Sequence, residues 1–390
     1  MMKELYQHIV NNQAQFIALR HDLHQHPEIG LEETRTSNIV AEKLQQWGYQ
    51  VNRGMAKTGV VGTLKVGNGG KTLGLRADMD ALPITEGGNP AWRSTVAGKF
   101  HGCGHDGHTA TLLCAAEYLA KSRRFNGTLH LIFQPGEELL YGGRLMLEDG
   151  LFRQFPCDAI YALHNMPGLK KGHFYFKTGA MMASSDTLHI EVIGKGGHGA
   201  FPEKSIDATL VACHIVVALQ TIVARNTSPF DQAVVTVGSF CSGEAPNVIN
   251  ANALLKLSVR ALDNGVRQRL LQRIREIAHG QAQSFGAEVN ITHVNGSPVL
   301  VNGADATAFA IDVARQFVSE EMICTDAAAV MGSEDFAFML EENPNGSYLF
   351  IGAGDEPERC LVHNPGYDFN DELIVPGALF FSHLAEKFLQ

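Results

Sequence analysis

His101-Gly-Cys-Gly-His-Asp-Gly-His108 sets a thiol and imidazoles at alternate positions between glycines. In that spacing Cys103 and His105 can both face one ion while the backbone folds tightly around it. About thirty residues on, the apolar run Thr128-Leu-His-Leu-Ile-Phe133 leads into Gln134-Pro-Gly-Glu-Glu138. Adjacent residues leaving a strand point in different directions, so one carboxylate can hold a metal while its neighbour faces the open side and handles protons. A lone Cys or His is more often structural, and paired glutamates are more often a solvated patch. The two segments together point to metal-assisted hydrolysis. His164 follows the strand-like Ala159-Ile-Tyr-Ala-Leu163, and His363 lies in a turn-like segment after Tyr348-Leu-Phe-Ile351. Strand ends are where open α/β sheets place their chemistry.

The elements that must hold these residues read as an α/β layer. Residues 13–47 are expected to form one or two amphipathic helices, followed by strands Gly59–Val66 and Thr72–Ala77. Thr109–Ala120 has helical spacing and no internal breaker. Strands then alternate with helices through His164, the pattern of a mixed, mostly parallel sheet. Near residue 180 the rhythm changes. Strand Thr187–Ile193, a helix from a Ser205 cap to Ala224, strands Ala233–Phe240 and Ala253–Ala261, helix Gly265–Gly286 and strand Ala287–Thr292 give the order βαββαβ, a ferredoxin-like unit. The division expected is a catalytic domain over 1–181 and 297–390, with a lid and dimerisation domain, 182–296, inserted into it.

At this point the chain resembles the dinuclear metal exopeptidase superfamily of aminoacylases and glutamate carboxypeptidases, and within it the branch of hippurate hydrolases, N-acyl-amino-acid amidohydrolases and auxin-conjugate hydrolases. The resemblance runs from Arg20-His-Asp-Leu-His-Gln-His-Pro-Glu28 through Arg76-Ala-Asp-Met-Asp-Ala-Leu-Pro83 to the region of His363. In that branch a cysteine takes the bridging position, here Cys103. The resemblance implies two divalent ions per subunit, held by Cys103, His105, Glu138, His164 and His363, with Glu137 as the catalytic carboxylate. It also implies that His198, in Gly194-Lys-Gly-Gly-His-Gly-Ala-Phe-Pro202, stabilises the tetrahedral oxyanion, reaching the site of a neighbouring subunit. Asn247 and Arg260 become substrate contacts, Arg260 through a bidentate pair with an α-carboxylate. Ser333 belongs to Gly332-Ser-Glu-Asp-Phe336, which resembles the loop facing the lid. Two departures stand out: Leu139-Leu-Tyr141 replaces glycines after Glu138, and Glu203 replaces a histidine. Asp78 is a candidate for orienting a ligand from behind.

Charge counting suits a hydrolase. One thiolate and one carboxylate oppose four positive charges, and a bridging hydroxide removes one more, which favours deprotonated water and a polarised amide. A thiolate admits Zn²⁺, Co²⁺ or Ni²⁺ and does not exclude Mn²⁺. The substrate expected is a small N-acyl amino acid, cleaved to a carboxylic acid and a free amino acid, by a homodimer or higher oligomer. A dipeptidase or carboxypeptidase is the related alternative; it would need an acidic partner for a free ammonium, with Glu203 or Glu244 the available groups. A catalytically inactive binding homologue is the alternative from another class, and it has no use for the proton carrier Glu137. The 390 residues suit one large domain plus a smaller one, and a net charge of −10 argues against nucleic acid or an anionic membrane as partner. No apolar leader is expected at the N-terminus and no stretch long enough to span a bilayer, so a cytoplasmic location is expected. Seven scattered cysteines read as reduced thiols, with only Cys103 in a liganding context.

Overall fold

The structure is a computed structural model that describes residues 2–390; Met1, at the start of the N-terminal segment read above, lies outside them. The chain divides into two compact units. The first comprises residues up to Gly179, Val301–Ala328 and Asp335–Gln390, and the second Ala180–Leu300 with Ala329–Glu334. The boundaries differ from the expected division mainly in that 329–334 goes with the inserted unit. That short return sits beside the insert because Ala183 N–H donates to the carbonyls of Val330 and Gly332.

In the first unit, α1 (Met2–Gln25), α2 (Thr34–Gln46) and α3 (His105–Ser122) accompany strands β1 (Gln50–Met55), β2 (Gly59–Val66), β3 (Thr72–Asp78), β4 (Gly127–Gln134) and β5 (Ala159–Pro167). The sheet runs β1, β2, β4, β3, β5, then Gly346–Gly354, Phe174–Tyr175 and Ile323–Cys324. β4, β3, β5 and 346–354 are mutually parallel, whereas β2 meets β1 and β4 antiparallel. The central strands are buried along nearly their whole length, which is why they read as continuous apolar runs rather than alternating ones. β1 was not expected, because Gln50-Val-Asn-Arg-Gly-Met lacks such a run; as an edge strand it needs only β2 as partner. Leu23, Leu112, Leu119, Leu131, Phe133 and Phe380 belong to one continuous core. Truncating one such buried leucine to alanine removes about 2–5 kcal/mol.

The second unit has its own core. Four antiparallel strands lie in the order 233–241, 252–261, 184–193, 288–297, the ferredoxin-like arrangement. Two findings correct the expectations here. The long helix is two, Ala208–Leu219 and Thr221–Arg225, and its cap is Asp207, whose carboxylate accepts from the Thr209 and Leu210 amides, not Ser205. The run Ala208–Arg225 also proves long and apolar enough for a membrane span by length and composition, with mean hydropathy 1.7. In this fold Ala208, Val211, Ala212, Ile215, Leu219 and Ile222 of that run turn at helical spacing into the unit's core.

A buried ionic network ties α1 to the first turn of α3. Arg20, fully buried, lies with its Nε 2.9 Å from Asp106 and also pairs with Asp368 and, at 3.6 Å, with Asp371. His24 places Nδ1 2.8 Å from Asp106 and Nε2 3.4 Å from Glu86. Burial opposes the imidazolium, but the bonds to Asp106 and Glu86 override it and raise the His24 pKa to about 9. A histidine raised in the folded state stabilises fully below its unfolded value of roughly 6.5 and loses that contribution as pH rises through the folded value. The difference in urea-unfolding free energy between the protein and His24→Gln should therefore shrink between pH 6.5 and 9. A difference constant across that window would show that His24 carries no charge in the fold.

Candidate metal centre

The parallel strands bring their carboxyl ends to one edge of the first unit's sheet, and the donor residues gather there. Cys103 and His105 stand at the start of α3, the chain turning into the helix through Gly104 at φ +97°. A side chain at Gly104 would meet Asn165 Oδ1 and the Tyr367 hydroxyl at 2.5 Å, so only glycine passes there. Glu137 and Glu138 do not leave a strand directly, as the sequence suggested. After β4 the chain passes through Gly136 at φ +64° and forms a single 3-10 turn, Glu137–Leu139. His164 lies within β5. His363 adopts φ +67°, an unusual value for a residue with a side chain, and its amide donates to the Gly102 carbonyl at 2.7 Å.

Cys103, His105 and His164 present donor atoms within 4.8 Å of one another, as do Cys103, Glu138 and His363. Cys103 is common to both groups, so one thiol stands where it can serve two ions. His105, Glu137 and Glu138 form a third such group. The side chains behind the donors fix which atoms are free. His164 Nδ1 donates to the Asn165 carbonyl at 2.6 Å, leaving Nε2 facing the Cys103 sulfur at 3.4 Å. His105 Nδ1 lies 3.2 Å from Asp80, and its Nε2 is buried without a hydrogen-bond partner, as is Glu138 Oε1, although His363 Nε2 lies 3.2 Å from that oxygen. Asp80 also accepts the Glu138 amide at 3.0 Å, joining two donors through one carboxylate.

Asp78 does not reach the donors as closely. It holds His108 Nδ1 at 2.6 Å and Arg76 at 2.7 Å, and lies 3.8 Å from His105 Nε2. His108 spends its other nitrogen on Asn165 at 2.6 Å, so both of its ring positions are occupied by protein. Beneath them the buried Arg76 also meets Gln134 at 2.9 Å and Asp335 at 3.4 Å.

Charge in the pocket is unbalanced. Burial, then the Glu138 charge, pushes the Cys103 thiol well above its usual range. Burial and the His108 charge hold His164 neutral, whereas at His105 burial, the largest single influence, is outweighed only by Asp78, Cys103 and Asp80 acting together, which favour the cation. A divalent cation would reverse the preferences of Cys103 and His105, because it deprotonates a coordinating thiol and displaces protons from imidazoles, and it suits the neutral His164 as it stands. The orphaned His105 and Glu138 atoms and a donor set of one sulfur, three imidazoles and a carboxylate fit such ions.

Residues 74–387 match the Peptidase family M20/M25/M40. The chain belongs to that family. It is 45% identical to the hippurate hydrolase of Campylobacter jejuni over 98% of both chains, and 34% identical to the N-acetyl-L-cysteine deacetylase of Bacillus subtilis over 97% of this chain and 89% of that one. A crystal structure of a dinuclear metal binding peptidase of the M20 family from Bacillus subtilis superposes with a TM-score of 0.82 at 31% identity, covering 97% of this chain and 98% of the other. This M20 chain is a metal-dependent amidohydrolase, with an α/β catalytic fold and divalent metal at its centre.

The remaining candidates lie in the second unit. His198 is exposed in a two-stranded ribbon, Gly197–His198 against Val248–Ile249, and Asn247 adjoins it, its carbonyl accepting the Gly199 amide at 2.8 Å. Arg260 is half-buried, which lowers its pKa, and donates to the Met331 carbonyl at 2.7 Å, two residues before Ser333. Sequence reasoning did not find Asn165, Gln134, Asp335 or Glu33 around the centre. Each is an ordinary polar residue whose neighbours come from distant segments, and only the doubled aspartates of Arg76-Ala-Asp-Met-Asp80 offered a local signal.

Mass mapping with a thiol reagent checks the central position of Cys103. The exposed Cys213 and Cys241 should react whether or not metal is present, whereas Cys103 should react only after chelation. Equal labelling of Cys103 in both samples would remove it from the donor set.

Proposed function

We propose that the protein releases free amino acids from N-acyl amino acids carrying aromatic or aliphatic acyl groups. The observation that carries this reading is the placement of Glu137. It is a buried carboxylate grouped with His105 and Glu138, and its Oε1 accepts the Asp335 amide at 3.3 Å. Cys103, His105, Glu138, His164 and His363 would hold two divalent ions, with Zn²⁺, Mn²⁺, Co²⁺ or Ni²⁺ compatible with the donors. When bound, such ions lower the pKa of water and polarise an amide oxygen. Glu137 then takes the water proton and delivers it to the leaving nitrogen, a role that requires a carboxylate near the reacting atoms yet not consumed as a ligand. Its neighbour Glu138 faces His363 and serves as the ligand of the pair.

The acyl preference is supported by Leu139-Leu-Tyr141, a half-buried apolar segment directly after Glu138, and by the similarity to a hippurate hydrolase, whose substrate is a benzoyl amino acid. Arg260 suits the substrate carboxylate because a guanidinium pairs with it bidentately, Asn247 and Ser333 supply neutral hydrogen bonds, and His198 supplies the oxyanion donor. We assign 182–296 the role of lid and pairing surface. Exposed Leu210, Val217 and Val223 on its helices, beside edge strand 233–241, favour symmetric association with a second copy. Nothing in this reading calls for nucleic acid or membrane, and a cytoplasmic setting suits the free thiols.

A panel of N-acetyl-, N-benzoyl- and long-chain acyl-amino acids beside dipeptides tests the substrate class. N-acyl amino acids should be cleaved preferentially, chelation should abolish turnover, and Glu137→Gln should retain metal while losing about 10²–10⁴-fold in kcat. Preference for dipeptides would replace the reading with a dipeptidase, and loss of metal in Glu137→Gln would exchange the roles of Glu137 and Glu138. For His198, co-refolding His198→Ala with Glu137→Gln should restore about a quarter of the activity, since random mixing makes about half the dimers mixed, each with one intact site of two. No recovery despite subunit exchange would confine His198 to its own chain or exclude it from the reaction.

A further inference from the structure

Glu33 is a buried carboxylate that the reaction as described does not use. It lies at the start of α2, yet its side chain does not cap that helix. Instead, Oε1 accepts the Gly136 amide at 2.8 Å, and Oε2 accepts the Thr58 hydroxyl at 2.6 Å. Gly136 is the residue that turns the chain, at φ +64°, immediately before Glu137. On the other side of Glu137, the Glu138 amide ends on Asp80. The two backbone amides flanking the proton carrier are thus each held by a buried carboxylate from a different segment.

A buried carboxylate is a costly way to satisfy one amide and one hydroxyl, a task that a neutral side chain performs without desolvating a charge. Burial, with the Asp80 charge adding to it, raises the Glu33 pKa to about 7. A group of this kind kept beside a reacting centre points to a task there. Close packing limits the alternatives for the turn itself, since a Cβ at Gly30 would stand 2.8 Å from the Gly136 Cα. The turn therefore has little freedom to translate, and what remains is rotation of the Pro135–Gly136 peptide, one unit before Glu137, which the hydrogen bond from the Gly136 N–H to Glu33 restrains.

We propose that Glu33 is a positioning residue for Glu137, fixing the Gly136 peptide so that the Glu137 carboxylate stays aligned for proton transfer. The proposal rests on the reading of Glu137 as the proton carrier. A misplacement of about 1 Å at a reacting group costs on the order of a hundredfold in rate. Glu33→Gln keeps an oxygen for the Gly136 amide and an NH₂ for Thr58, whereas Glu33→Ala keeps neither.

Expected for Glu33→Ala is a kcat lowered about ten- to a hundredfold, with KM little changed and metal content retained. Glu33→Gln should recover to within a few-fold of the parent protein. Amide hydrogen exchange over residues 134–139, which needs no turnover, should quicken in Glu33→Ala and not in Glu33→Gln. If Glu33→Ala does not fold, Glu33→Asp, too short to hold both partners, and Thr58→Val should show the same pattern in weaker form. Equal losses in the alanine and glutamine variants, an unchanged kcat in folded, metal-loaded Glu33→Ala, or unchanged exchange would each overturn the proposal. Retained turnover in Glu137→Gln rejects the proton-carrier reading itself, a result kept apart by the exchange measurement.

Discussion

Parallel pairing of β4, β3, β5 and 346–354 is the constraint on which the metal centre depends. Parallel strands share one carboxyl edge, so the residues that follow them emerge together however far apart they stand in the chain. Asp80, Glu137, Glu138 and His363 arrive by this route, and Asp78 and His164 stand near the carboxyl ends of β3 and β5 themselves. Cys103 and His105 come with the helix that the β3 connection feeds. An antiparallel order would send alternate donors to opposite edges and leave no group of three within reach.

Gathering so many ionisable groups out of water requires compensation, and the fold supplies it in layers. Arg76 lies under the centre between Asp78 and Asp335, while Arg20 anchors Asp106 beside His105. Removing one partner of such a buried pair leaves an uncompensated charge, at a cost of roughly 3–5 kcal/mol. Arg76 holds Asp78, which grips His108 and stands 3.8 Å from His105, and Arg20 holds Asp106, which from the start of α3 grips His24. The second unit's core is aliphatic, and its buried Asp186 is compensated in the same way, by Arg267 and His293, each at 2.8 Å.

Much was legible in the sequence because it was local. The βαββαβ order showed in alternating runs, the nearness of Cys103 and His105 in their glycine-flanked spacing, and the two carboxylates in their adjacency. The helix from 208 was expected as one element with a Ser205 cap; Asp207 became the cap only once the helix start was set by packing, and the run divides at Gln220. Glu33 was invisible, since nothing near it in sequence foretells Gly136 or Thr58.

Residue type and short-range spacing by themselves determined which atoms could bind metal and which carboxylate pair could divide the labour, because valence and side-chain reach are properties of the residues. Only the tertiary structure decided which nitrogen of each histidine is free, that Cys103 joins two donor groups, that His108 is taken up by Asp78 and Asn165, and that Glu33 and Asp80 brace the turn around Glu137. Those outcomes turn on distances of a few ångströms between segments far apart in the chain, which the packing of strands and helices sets and no local pattern encodes.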